Sequence, residues 1–245
     1  MTASKRQAES APLAIPANWA VMFDLGETLF EPLPAQYGEQ NLLTYARQAG
    51  IEAQREKLLA MFTQSKAEVA SEFARRSFYR HAEFVSRVFQ VCCEAFGATP
   101  SPNITAGYIA AQHEAVVAWL RPRPDCFATL AALRSRGNRL AIVSNIDDDW
   151  LTPLVSRWEL DTYVDVILSS ESAESCKPDQ KIFADACKAI ATKPARCLFV
   201  GDDEANDVVG ANRAGMTSVL FHKMPSSAIE TQAVYVITEL NALLR

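Results

Sequence analysis

The chain has 245 residues, 49% of them apolar and 22% charged, enough to bury a good core as one large domain or two small ones. A formal net charge of −5 argues against a nucleic-acid binder, which usually shows a basic face, but leaves small anions open because a few residues set a site's local charge. No run reaches the roughly 18 apolar residues of a membrane span, and six cysteines without a C-x-x-C pair read as buried free thiols of a reducing cytoplasm, with Cys176 the one that could face a site.

Residues 1–18 carry Ser, Ala and Pro, with Lys5 and Arg6 but no apolar stretch behind them; a flexible tail is expected, not a secretory signal. Residues 19–25 form a short β-branched and aromatic run, the first expected strand, and Glu31-Pro32-Leu33-Pro34 then breaks regular structure. From about residue 35 the apolar spacing changes to three- and four-residue steps. Leu42, Leu43 and Ala46 make one stripe, and Leu58, Leu59, Phe62, Val69 and Phe73 another. Phe84, Val85, Val88, Val91 and Phe96 continue it, as do Ile109, Val116, Val117 and Leu120 beyond the Gly97–Pro102 break. Residues 32–120 are therefore expected to be a four-helix insert.

From Pro124 onward helix and strand alternate. A helix through Leu130 and Leu133 ends near Gly137 and feeds a strand over 140–144. Further strands are expected over 164–169, 197–201, 217–221 and 235–237, with helices over 151–158, 181–190, 207–214 and from Glu239. Alternation of this kind predicts an α/β fold, a doubly wound Rossmann-like parallel sheet covered on both faces. Its core is discontinuous, 19–31 with 121–245, and the helical insert lies between.

Four polar fragments follow apolar runs in a fixed order: Asp24-Leu25-Gly26-Glu27-Thr28, Ser144-Asn145, Lys177-Pro178, and Gly201-Asp202-Asp203 with Asp207. Open parallel sheets bind ligands at the carboxyl ends of their strands, so fragments far apart in sequence can converge there. Together they supply a carboxylate nucleophile, hydroxyls at Thr28 and Ser144, a lysine, and carboxylates suited to a hard cation. That inventory fits phosphoryl transfer. Taken singly each has a plainer reading: Asp24 as a turn residue, Lys177 as a solvated side chain, Asp207 as a favourable charge at a helix N-terminus.

These fragments, and above all the stretch Leu198-Phe199-Val200-Gly201-Asp202-Asp203 continuing through Asn206-Asp207 to Ala214-Gly215-Met216, resemble the haloacid dehalogenase-like (HAD) hydrolases, with a helical cap inserted after the first strand. The resemblance spans 19–237. It implies that Asp24 forms an aspartyl-phosphate, that Ser144 and the neighbouring Asn145 hold a phosphoryl oxygen, that Thr28 contacts substrate, and that Lys177 offsets the charge. It further implies Mg²⁺ held by Asp24, the Gly26 carbonyl, Asp202 and Asp207, a small-molecule phosphate ester as substrate, and a cap that closes over the leaving group. One position departs from the family pattern: where its phosphatases carry a second Asp as general acid and base, this chain has Gly26. A slow hydrolase is expected, with the neighbouring Glu27 a candidate substitute. Attack of Asp24 on carbon, as in 2-haloacid dehalogenases, stays open, as does a phosphate- or partner-binding protein without turnover. A phosphonate-cleaving relative using Lys57 or Lys66 is a remoter alternative.

Overall fold

The computed structural model describes residues 13–223 and 230–245. Among the described residues six strands make one sheet: β1 (Ala20–Phe23), β2 (Arg139–Ser144), β3 (Val166–Ser169), β4 (Cys197–Gly201), β5 (Thr217–Phe221) and β6 (Tyr235–Ile237). The order is β3-β2-β1-β4-β5-β6 and every pairing is parallel. The central strands are unbroken apolar runs because both faces are covered. Ala20, Met22, Ala141, Val143, Cys197 and Phe199 pack into one buried cluster, while Val21, Phe23, Leu140, Ile142, Leu198 and Val200, which alternate with them, are buried as well.

By contacts the chain divides into two compact units, Met1–Glu31 with Arg121–Arg245, and Pro32–Leu120. The second contains α1 (Ala35–Gln48), α2 (Arg55–Phe73), α3 (His81–Glu94) and α4 (Pro102–Trp119). Leu42 and Ala46 of α1, Leu58 of α2, Phe89 and Cys92 of α3 and Tyr108 of α4 share one core, and Val69, Phe73, Val88 and Val91 form a smaller one. Helix α4 starts on a Ser101 cap whose side chain accepts from Ile104 N, with proline at its first position. Its buried residues are Thr105, Tyr108 and Ala115. The expected stripe of Ile109, Val116 and Val117 is only half-buried; α4 is apolar on several faces, so spacing alone could not select the inner one.

In the sheet-bearing unit the helices are α5 (Cys126–Ser135), α6 (Asp148–Trp158), the short α7 (Leu160–Tyr163) and α8 (Ser170–Ala173), then α9 (Gln180–Ala189) and α10 (Gly210–Arg213). Ile182, Phe183 and Ala186 of α9 cover the first face of the sheet. Three expectations change. The helix read over 207–214 is a wide turn, Glu204–Val209, running into α10, and the C-terminal helix is a tight 3₁₀ segment, Leu240–Leu244. Of the expected tail, residues 1–12 lie outside the described residues. From Leu13 the chain is docked: Leu13 is buried, and the Asn138 amide donates to the carbonyls of Pro16 (2.8 Å) and Trp19 (3.1 Å). Among the described residues no helix is long and apolar enough to cross a membrane. All six cysteines are free and buried, Cys176 included.

Candidate active site

The chain runs from β1 out to β2 and β3 on one side and returns to β4 and β5 on the other, so the switch in strand order falls at β1 and β4. Asp24 is the first residue past β1, and its N–H donates to the Val200 carbonyl (2.9 Å), which holds it beside the end of β4. Asp202 is the first residue past β4. The oxygens of Asp24, Asp202 and Asp207 lie within 4.8 Å of one another, the one such group of potential metal ligands among the described residues.

Lys177 ties the group together. Its ammonium donates to Asp24 Oδ1 (2.6 Å) and Asp207 Oδ1 (2.7 Å) and sits 5.3 Å from the centre of the Phe199 ring. Lys177 and Asp207 are almost wholly buried and Asp24 is 8% exposed. Lys177 lies in the loop after α8, and α9 begins only at Gln180. The loop is held by Asn145, whose side chain accepts from Lys177 N (2.7 Å) and donates to Lys177 O (2.9 Å). Asn145, read from the sequence as a substrate contact, thus spends both ends of its amide on the lysine's main chain. Ser144 closes β2, largely buried, one strand over from Asp24.

Thr28 also differs from its expected part. It is fully buried, and its hydroxyl proton goes to Asp202 Oδ1 (2.9 Å), so it fixes a carboxylate rather than facing a substrate. Gly26 and Glu27 lie in a wide turn, Leu25–Leu29, closed by Phe30 N donating to Leu25 O (2.9 Å). Gly26 has ordinary extended angles, φ −71° and ψ 136°, whereas the exposed Glu27 has φ 57°. Asp203 stands apart from the cluster. Its carboxylate accepts from Ala205 N and Asn206 N (both 2.8 Å), capping the turn that follows. Asp207 is the opposite case: its carboxylate takes Lys177 and Asp203 N (3.0 Å), so it serves the cluster more than a helix end.

The charges do not balance. Three carboxylates meet one ammonium, and the cost falls on the least compensated of them. Burial, then the charges of Asp24 and Asp207, push the Asp202 carboxyl up to about 7. Burial also raises Asp207, against the pull of Lys177. Burial disfavours the Lys177 ammonium, but Asp207 and Asp24 outweigh it and the net shift is upward. A divalent cation with a preference for oxygen fits this donor set: it would remove the residual negative charge that now forces Asp202 toward its protonated form. Gly201 is what makes the crowding possible, since a Cβ there would lie 2.2 Å from the Asp207 carboxyl carbon.

One further residue, not singled out from the sequence, belongs to this site. Arg123, 9% exposed, donates Nε to Thr28 O (2.7 Å) and Nη2 to Glu27 O, and its guanidinium stacks 4.1 Å from the Phe221 ring centre. The only hint is its setting in Arg121-Pro122-Arg123-Pro124, a rigid non-helical stretch where the chain re-enters the core.

Known proteins are similar to this chain over most of its length. A glyceraldehyde 3-phosphate phosphatase from Methanopyrus kandleri is 30% identical over 204 residues, 82% of each chain. A Pseudomonas protein named (S)-2-haloacid dehalogenase 1 is 26% identical over 172 residues, 69% of this chain and 72% of that one. Among solved structures, the magnesium-bound HAD-hydrolase YfnB from Bacillus subtilis superposes with a TM-score of 0.72 at 19% identity, covering 92% of this chain and 96% of that one. The family model for haloacid dehalogenase-like hydrolases matches residues 20–215. With a family model matched over most of the chain and a relative 30% identical over 82% of it, the chain belongs to the haloacid dehalogenase-like hydrolases.

Proposed function

We propose that the protein is a Mg²⁺-dependent phosphatase of a small phosphorylated metabolite, working through an aspartyl-phosphate on Asp24. The observation that carries this reading is the single buried ammonium of Lys177 shared by Asp24 and Asp207, with Asp202 left over as an uncompensated carboxylate beside them. Asp24, Asp202 and Asp207, with the Gly26 carbonyl, would hold the cation, which supplies positive charge against the phosphate oxygens when bound. The Asp24 carboxylate oxygen attacks phosphorus, the ester P–O bond breaks, and the alkoxide takes a proton from solvent. Water then cleaves the phosphorus–oxygen bond to Asp24, releasing inorganic phosphate and restoring the carboxylate. Lys177 orients the nucleophile and offsets its charge. Ser144 at the end of β2 supplies a hydroxyl for the phosphoryl group. With Gly26 in place of a carboxylic acid, no positioned donor meets the leaving group, and turnover is slower by about 10²- to 10⁴-fold than a site with one. The phosphatase name of the Methanopyrus relative supports a small phosphate ester as substrate, and six free, buried thiols suit a cytoplasmic enzyme.

The test is phosphate release from a panel of sugar, triose and aryl phosphates with Mg²⁺ and with chelator. Metal-dependent release that disappears in Asp24→Asn is expected. Gly26 favours a second reading, attack of Asp24 on the carbon of a 2-haloacid, because that chemistry has no leaving alkoxide to protonate. The surplus charge at Asp202 and Asp207 weighs against it. Halide release in chelator, with no phosphate release in Mg²⁺, would reverse the order.

A further inference from the structure

We propose that Arg123 is a positioning residue for the carboxylate cluster, clamping the turn after Asp24 in the shape that makes Asp24, the Gly26 carbonyl and Asp202 a cation site. The inference rests on the phosphatase reading for its purpose, but on the structure for its geometry. Three consecutive carbonyls of the turn take their hydrogen bonds from this one residue: Leu29 O from the Arg123 main-chain N–H (2.9 Å), Thr28 O from Nε (2.7 Å) and Glu27 O from Nη2. Such a clamp is needed because Glu27 holds φ 57°, where a side chain is strained and glycine is the usual occupant. Nothing in Glu27 itself favours that conformation. If its φ relaxes, the Gly26–Glu27 peptide plane turns, and the Gly26 carbonyl turns with it. Thr28 follows, and its hydroxyl is the hydrogen-bond donor to Asp202 (2.9 Å).

Arg123 is itself fixed from behind. Its guanidinium lies on Phe221 at the end of β5, prolines stand on both sides of it, and Phe30 and Pro122 form a bridge just before it. The planar fork reaches two neighbouring carbonyls at once; the single ammonium of a lysine has no such geometry. Burial lowers the Arg123 guanidinium overall, against the opposing charges of Glu31, Asp125, Asp202 and Glu27. A route therefore runs from Phe221 through Arg123 and the two carbonyls to Thr28 and Asp202, without Arg123 touching substrate.

The experiment measures Mn²⁺ binding to the full chain by electron paramagnetic resonance at neutral pH, alongside thermal melting, for the wild type, Asp202→Asn, Arg123→Met, Arg123→Lys and Arg123→Met with Glu27→Gly. Loss of a residue that orients metal ligands typically weakens metal affinity about 10- to 100-fold, and that loss is expected for Arg123→Met. Arg123→Lys keeps the charge and the stem on Phe221, stays folded, and is expected to bind Mn²⁺ more weakly than wild type. Glycine accepts φ near +57° without steric cost, so the double variant should regain most of the affinity even though its melting temperature does not recover. Wild-type affinity in either folded Arg123 single variant overturns the role of Arg123, as does a double variant no tighter than Arg123→Met. Mn²⁺ binding that is absent in the wild type, or unaffected by Asp202→Asn, overturns the cation site itself and this inference with it.

Discussion

At Lys177 two carboxylates depend on one buried cation, and the arithmetic of such a group is lopsided. Replacing a whole buried ion pair by apolar groups is often harmless, while removing one partner costs about 3–5 kcal/mol because an uncompensated charge stays behind. Lys177→Met strands both Asp24 and Asp207. It should abolish turnover and lower the unfolding free energy in urea by about that amount at neutral pH, with a smaller loss in acid, where the stranded carboxyls take up protons. Gly26 presents the reverse situation, a missing group with room to be restored. A Cβ built there meets no atom within 4 Å, and φ −71° suits any residue. Gly26→Asp is therefore expected to fold normally and to raise kcat on alkyl phosphates by about 10²- to 10⁴-fold, the usual yield of a positioned acid–base group. An unchanged kcat in a folded Gly26→Asp variant would mean that the slow step is not proton transfer. The two substitutions separate the residues that hold charge from the position where a proton carrier is lacking.

Elements bring these residues together, and strand ends were the legible part. β1, β2 and β4 read clearly because an uninterrupted apolar run in a doubly covered sheet must stop where it meets Asp24, Ser144-Asn145 or Gly201-Asp202. The turn after Asp24 was not legible. Its shape depends on Arg123, 96 residues away from Glu27, and no glycine marks the positive φ at Glu27. Nor was the segment after β4, where apolar spacing suggested a regular helix. There the Asp207 carboxylate is drawn to Lys177 and back to Asp203 N, and the chain widens before α10 begins. The parts of Thr28 and Asn145 went unread for a related reason: a hydroxyl or amide can serve a ligand or a neighbour, and only packing decides. Gly201 is the element-level support of that second turn. Ala at 201 would place its Cβ 2.2 Å from the Asp207 carboxyl carbon, at the fixed end of a central strand. Gly201→Ala should displace Asp207, lower stability by about 1–3 kcal/mol as overpacking does, and reduce activity far more than stability. Near-normal kcat in that variant would show that Asp207 can move without loss to the site.

At the scale of the whole molecule, the helical insert was legible from a change of period, whereas its inner face on α4 was not, because apolar residues there surround the helix. The charge stored in the site was equally invisible, since it depends on burial that no spacing reveals. That charge links folding to pH. The Asp202 carboxyl stands at about 7, against an ordinary value of 3.8. Between those limits the folded protein holds a proton that the unfolded chain has released, so the metal-free protein loses stability as pH rises from about 4 to about 7. Asp207 shifts in the same direction. Lys177 shifts upward from 10.5, and its contribution stays constant over this window and fades only in alkali. A cation that displaces the Asp202 proton reverses the slope, because binding to the folded state adds RT ln(1 + [L]/Kd), about 2.7 kcal/mol at a hundred times Kd. The melting temperature without metal is thus expected to be higher at about pH 5 than at about pH 8, and the increment from Mg²⁺ larger at about pH 8. Asp202→Asn should flatten both trends. Equal Mg²⁺ increments at the two pH values would place the bound cation away from Asp202, because only a ligand that must first lose a proton makes the increment depend on pH.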